Sequence, residues 1–222
     1  MNDQYVSITC PTLQSLEPVL RSWIACTQRY INVWNGGDLP YWYNEQANVS
    51  ILAGAAWKAD WTAIEEYQIS KVATEASEQI TLIGRNDLYI ANDTKGFCIE
   101  AKVAYLDISD TKNTSKYIKR RLANATQDAE RLNYHEPRLG AVFVAPYSRD
   151  KPATLLQIQV FQQKMLELDV QALAWVAPIN AQQTCSHDNK YYPMVALLLK
   201  TTKPQAVPLL ERALEPVLIP QP

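Results

Sequence analysis

The fold turns on the stretch Thr81-Leu82-Ile83-Gly84-Arg85-Asn86-Asp87-Leu88-Tyr89-Ile90, the turn sequence Asn92-Asp93-Thr94-Lys95-Gly96, and Phe97-Cys98-Ile99-Glu100-Ala101-Lys102-Val103-Ala104-Tyr105. Two runs rich in β-branched and aromatic residues, separated by Asn, Asp and Gly, predict an antiparallel hairpin. With the turn centred near Thr94, Asp87 falls across from Glu100 or Ala101, within side-chain reach. Glu100 and Lys102 are two apart and share a face, while Ile99, Ala101 and Val103 face the other way.

Working outward, Ile64–Val72 reads as a preceding strand, interrupted in pattern by Glu65-Glu66. Before it, Asn44 is suited to cap a helix running to about Asp60, with Glu45 in its first turn and Val49, Leu52, Ala53, Ala56 and Trp57 as its apolar face. Thr12–Val33 is apolar at helical spacing, with Pro18 starting or interrupting a helix. After the hairpin come a polar helix over Lys112–Leu132, an apolar strand over Leu139–Ala145 and a helix over Gln157–Leu168. Strands over Ala172–Ile179 and Tyr191–Lys200 follow, then a Pro-rich tail with a short helix around Leu209–Leu214. This order predicts an α/β fold, a mixed central β-sheet flanked by helices, as a single domain over residues 1–222. Its core spans about 44–145, with an N-terminal helical segment over 12–33 and a C-terminal extension over 155–222.

The chemistry follows from charge inside an apolar strand. Acid-x-Lys triplets also occur at Asp93-Thr94-Lys95, Asp110-Thr111-Lys112 and Asp188-Asn189-Lys190, all in polar, turn-like surroundings. Glu100-Ala101-Lys102 differs because two charged groups are costly in such a strand. Two neighbouring carboxylates repel unless a cation lies between them, and Mg²⁺, with Mn²⁺ as a substitute, suits a site of oxygen ligands. Together with an ammonium, such a pair suffices for phosphodiester hydrolysis. The bland alternative is an ion pair of Lys102 with Asp87 or Glu100.

Gly84-Arg85-Asn86-Asp87-Leu88-Tyr89-Ile90 followed by Ile99-Glu100-Ala101-Lys102 resembles the metal-binding half of the PD-(D/E)XK nucleases, the restriction-endonuclease-like superfamily. The resemblance implies a core of helix, three-stranded meander, helix and strand (α-β-β-β-α-β). It also implies metal ligation by Asp87 and Glu100, assistance by Lys102, and a further acid on the first helix. Glu45 is the best match for that acid, with Glu65 and Glu66 as competitors; a helix-start charge is its structural alternative. Asn86 stands where the family name has Pro.

The implied activity is a metal-dependent nuclease acting on nucleic acid, with DNA as the favoured substrate; the alternative is a catalytically silent nuclease-fold binding or regulatory protein. Cleavage of both strands would favour a homodimer. Lys116, Lys119 and Arg120, at i, i+3 and i+4, are candidate nucleic-acid contacts. Trp34, Tyr41, Trp42 and Tyr43 are candidates for stacking on unpaired bases, or for packing the loop onto the core. The formal net charge of −2 argues against a protein that coats nucleic acid by charge alone. Four scattered cysteines read as reduced thiols, and Cys185 with His187 supplies too few ligands for zinc. No apolar run spans a bilayer, and the N-terminus does not resemble a signal peptide, so a cytoplasmic location is expected.

Overall fold

The computed structural model describes residues 3–75, 78–133 and 136–202. Strand β1 (Gln4–Ile8) leads through a 3-10 turn (Pro11–Leu16) into α1 (Glu17–Val33), followed by α2 (Glu45–Lys58). Then come β2 (Thr62–Glu75), β3 (Glu78–Ala91), β4 (Gly96–Asp107), α3 (Thr114–Glu130) and β5 (Arg138–Arg149). The chain continues with α4 (Leu155–Leu166), β6 (Ala172–Val176), β7 (Lys190–Tyr191) and β8 (Val195–Thr201).

The elements begin where local chemistry dictates. Pro18 lies in the first turn of α1, where its missing N–H costs nothing. Asn44 caps α2, its Oδ1 accepting the Ala47 N–H at 2.9 Å. Thr154 and Gln157 form a reciprocal capping box at the start of α4. In the β3–β4 turn, Asn92 Oδ1 accepts the N–H groups of Thr94 at 3.0 Å and Lys95 at 2.9 Å. That Asx turn holds the hairpin in register.

Among the described residues the strands form one mixed sheet in the order β1-β6-β8-β5-β4-β3-β2, with β7 paired to β5. Only β4 and β5 run parallel, and α3 makes the crossover between them. The fold is therefore mixed α/β, and α2-β2-β3-β4-α3-β5 follows the expected order of helix, three strands, helix and strand. Strand β5 is buried on both faces: Leu139, Ala141 and Phe143 join Trp23, Leu52 and Ile99 in one cluster, while Val142 and Val144 join Ile118, Phe161 and Leu198 in the other. Such a strand reads as a continuous apolar run rather than an alternation.

The structure corrects several boundaries. Strand β1 has no counterpart in the expected order; it pairs antiparallel with β6 at the sheet edge. The strand expected over Tyr191–Lys200 is divided, because Pro193 lacks an N–H and stands between β7 and β8. The strand expected over Ala172–Ile179 stops at Val176, short of Pro178, and a 3-10 turn follows over Ile179–Ala181. The expected helix around Leu209–Leu214 lies outside the described residues.

Candidate active site

The β3–β4 pairing runs from Ala91↔Gly96 to Leu88↔Ile99 and stops. The same register would bring Asp87 opposite Glu100, as the hairpin spacing predicts, but no rung forms there. From this point β3 stays with β2, while β4 continues along β5 to Asp107↔Tyr147. The fork strips a partner from one edge of β4, leaving the N–H and C=O of Ala101 and Val103 to be satisfied otherwise. Charged side chains take the place of the missing strand. Asp87 Oδ2 accepts the Ala101 N–H at 2.7 Å, and Lys102 Nζ donates to the Ala101 carbonyl at 2.8 Å. The Glu45 carboxylate lies close to the Val103 N–H, and Arg121 donates to the Val103 carbonyl through Nε at 3.0 Å and Nη2 at 2.8 Å.

A kink in the β2–β3 ribbon aims Asp87 into this gap. Glu66 faces Asp87 in register, yet the rung between them is missing and Glu66 has a φ of 52°. A left-handed backbone at a non-glycine residue costs on the order of 1 kcal/mol. The pleat changes face across it. Leu88 belongs to the cluster under α1 and α2, and its partner Glu65 accepts a hydrogen bond from Ser50 of α2 at 2.7 Å. Tyr67, one residue beyond Glu66, instead packs with Tyr89 and Cys98 on the opposite face. Asn86 is fully buried beside Asp87, and both atoms of its amide lack a hydrogen-bond partner. Orphaned amides and positive φ angles lower stability, so this neighbourhood is not shaped for stability alone.

Glu100 is only 3% exposed, and Lys71 Nζ donates to its Oε1 at 2.8 Å. Burial, and then the nearby Asp87 charge, push the Glu100 carboxyl up to about 7 despite Lys71. Burial likewise raises Asp87, against the Ala101 hydrogen bond and the Lys102 charge. For Glu45, burial raises the carboxyl, Lys102 opposes that, and Asp87 adds to it. Lys102 moves the other way from an isolated buried amine. Burial alone would lower it, but Glu45, Asp128 and Asp87 together raise it, so it stays an ammonium.

The four predicted residues Asp87, Glu100, Lys102 and Glu45 therefore lie within electrostatic reach at the fork. The alternative reading, an ion pair of Lys102 with Asp87 or Glu100, is not what forms: Lys102 pairs with Asp128 at 3.1 Å, and Glu100 with Lys71. Among the competitors for the helical acid, Glu65 is tied to Ser50, and Glu66 pairs with Arg85 at 3.4 Å. Glu45 alone of the three reaches the open edge of β4.

The donor set is all oxygen, which fits a hard divalent cation, and the raised carboxyls are those a cation would relieve. Among the described residues no three His, Cys, Asp or Glu groups converge closely enough to form a ready cage. A cation here would draw on two carboxylates, with water and substrate oxygens completing its shell, as Mg²⁺ does.

No family model matches this chain, and no curated protein matches it. One solved structure, described as "Crystal structure of SSO0001", is 12% identical over 68% of this chain and 75% of that one, with a TM-score of 0.23. A similarity of that size carries no argument about fold or activity.

Lys71, Arg121 and Asp128 were not singled out from the sequence. Lys71 belongs to a strand whose pairing is not legible locally. Arg121 and Asp128 are seven apart, two turns of α3, and so share the flank that meets β4. Lys119 lies about 200° around the helix from Arg121 and lines a cavity of about 490 Å³ with Leu168, Val170 and Lys200. Lys116 and Arg120 are exposed on the outer face, Arg120 over the Tyr117 ring at 5.4 Å. The structure does not bring these three to the fork. Among the described residues, no helix is long and apolar enough to cross a membrane.

Proposed function

We propose that this chain is a metal-dependent nuclease of the PD-(D/E)XK type that hydrolyses phosphodiester bonds in DNA. The observation that carries the reading is the fork itself, where Asp87, Glu100, Glu45 and Lys102 gather on the edge that β3 abandons. Asp87 and Glu100 would hold Mg²⁺ or Mn²⁺, with Glu45 as the additional acid. Such an ion polarises a phosphoryl oxygen and acidifies a bound water.

The chain's own groups supply the rest. Lys102 stays protonated, so it acts as a donor and a positive charge rather than as a general base. Two of its three N–H donors are directed at the Ala101 carbonyl and Asp128. The third remains for the attacking water or for a phosphate oxygen on which charge accumulates. Asp128 positions the ammonium. Arg121, fixed on the Val103 carbonyl, adds positive potential beside Glu45. Cutting both strands of a duplex would call for a symmetric pair of chains.

The test is incubation of supercoiled plasmid and of single-stranded DNA with Mg²⁺ or Mn²⁺, with EDTA and Lys102→Ala as controls. Nicking that needs the metal and is lost in the variant supports the proposal. Undiminished cutting by purified Lys102→Ala, or no cutting of DNA under either metal, overturns it. A silent nuclease-fold binding protein is the second reading, favoured by the Lys71 ammonium that already neutralises Glu100. In that case neither metal raises the melting temperature.

A further inference from the structure

Beyond the fork, aromatic rings gather at the ends of β4 and β5 and in the segment before α2. Tyr105 follows Val103 by two residues, about 7 Å along the strand. Its hydroxyl donates to the Tyr43 carbonyl at 2.9 Å, and Tyr43 precedes Glu45 by two residues. The Tyr192 ring contacts those of Tyr105 at 6.1 Å, Tyr147 at 5.9 Å and Trp42 at 6.5 Å between centroids. Arg149 and Lys190 sit over Tyr147 at 5.2 and 4.9 Å, Lys190 also pairing with Asp188.

Two rings in the segment before α2 stay open: Tyr43 is 54% and Trp34 56% exposed. Both lie beside the same anchor. Tyr43 donates to Asp38 Oδ1 and Tyr30 to Asp38 Oδ2, each at 2.8 Å, and the Trp34 indole lies close to Tyr30. The Asp38 charge is met by two hydroxyl donors. Rings fixed in place at their polar ends offer flat apolar area at little further entropy cost.

The chemistry of the surroundings selects the partner. Exposed rings at one end of an aromatic row, with the Arg149 guanidinium over Tyr147 at the other, match nucleobases joined by phosphates, the combination used to hold single strands. Bases in a duplex stack on each other and offer no face, so such a platform recognises unpaired ones. We propose that Tyr43 and Trp34 form a stacking platform for unpaired nucleobases, with Arg149 at the far end of the aromatic row drawing the backbone, so that the substrate strand reaches the fork single-stranded. This rests on the nuclease reading of the fork.

The experiment measures binding without cleavage. Wild-type chain in EDTA is titrated into a fluorescein-labelled oligonucleotide of about 12 nucleotides, single-stranded or annealed, and anisotropy is read. The single strand should bind at least about 10-fold more tightly than the duplex, and Tyr43→Ala and Trp34→Ala should each weaken it by about 5- to 150-fold. Tyr43→Phe keeps the ring and should stay within about 3-fold of wild type. Unchanged single-strand affinity in both Ala variants, equal losses for duplex and single strand, or Tyr43→Phe as weak as Tyr43→Ala, each overturns the platform. Absence of metal-dependent cutting of both plasmid and single-stranded DNA, alongside intact, ring-dependent single-strand binding, would instead defeat the nuclease reading alone.

Discussion

Asp87 Oδ2 accepts the Ala101 N–H at 2.7 Å, in the gap that opens where β3 leaves β4. One carboxylate thus completes the ladder and stands beside Glu100, so its two roles can be separated by substitution. Asp87→Asn keeps an oxygen acceptor for Ala101 and should cost about 1 kcal/mol or less, whereas Asp87→Ala orphans the N–H at about 1–3 kcal/mol. Both should lower metal-dependent cleavage by about 100-fold or more. Urea denaturation and plasmid nicking on the same preparations check this; Asp87→Asn cutting at wild-type rate would remove Asp87 from the chemistry.

The buried Glu100 sets a pH dependence of stability. Its folded value, about 7, lies above the ordinary 4.5, because of burial first and Asp87 second. The folded state then holds a proton that the unfolded state has released, so this contribution is full below about 4.5 and is lost as pH rises through about 7. Its size is at most about 3 kcal/mol. Asp87 and Glu45, also raised, act with the same sign. Without metal, the chain should unfold at lower urea at pH 8 than at pH 5, and Glu100→Gln should flatten that difference. Equal slopes for wild type and Glu100→Gln would contradict the assignment.

Much of this site was legible because a hairpin is a local object. Turn residues at 92–96 set the register, register set Asp87 against Glu100, and period two placed Glu100 with Lys102. What could not be read was the fork. Whether two strands remain paired depends on the twist that a single left-handed residue, Glu66, introduces in a third strand, and on β5, whose partner is distant in sequence. The same holds for Lys71 and Asp128, which reach Glu100 and Lys102 only through tertiary packing. At the margins, β1 was missed because a short edge strand has little pattern, and Pro193 divided a run that apolarity alone had joined.

Lys71 holds Glu100 at 2.8 Å and competes with a cation for the same oxygen. Lys71→Met should leave a buried carboxylate unpaired and lower stability at pH 8 by about 3 kcal/mol. The same change clears a ligand, so the rise in melting temperature on adding Mg²⁺ should be larger than in wild type. An unchanged or smaller rise would mean that Lys71 and the metal do not share Glu100.

The turn of α3 yields a negative prediction. Lys119 faces the cavity beside Leu168 and Lys200, on the flank away from Arg121 and Asp128. Lys119→Ala should leave DNA affinity within about 2-fold and the salt dependence unaltered. A fall of about 1 in the slope of log K against log salt would return Lys119 to the phosphate contacts.

Glu45 poses the sharpest choice, since a helix-start acid needs no function. If it serves only the macrodipole of α2, Glu45→Gln should cost about 0.3–1 kcal/mol and leave cleavage alone. The geometry argues otherwise. Glu45 is the largest of the charges that hold Lys102 protonated, and its carboxylate lies close to the Val103 N–H at the open edge. Glutamine keeps an oxygen at that place but removes the charge, so Lys102 should lose its proton at lower pH. Cleavage by Glu45→Gln should therefore fall by about 10-fold or more, with its alkaline limb moved to lower pH and stability nearly unchanged. A wild-type rate profile combined with a lower melting temperature would assign Glu45 to the helix and leave Asp87 and Glu100 as the only acids of the site.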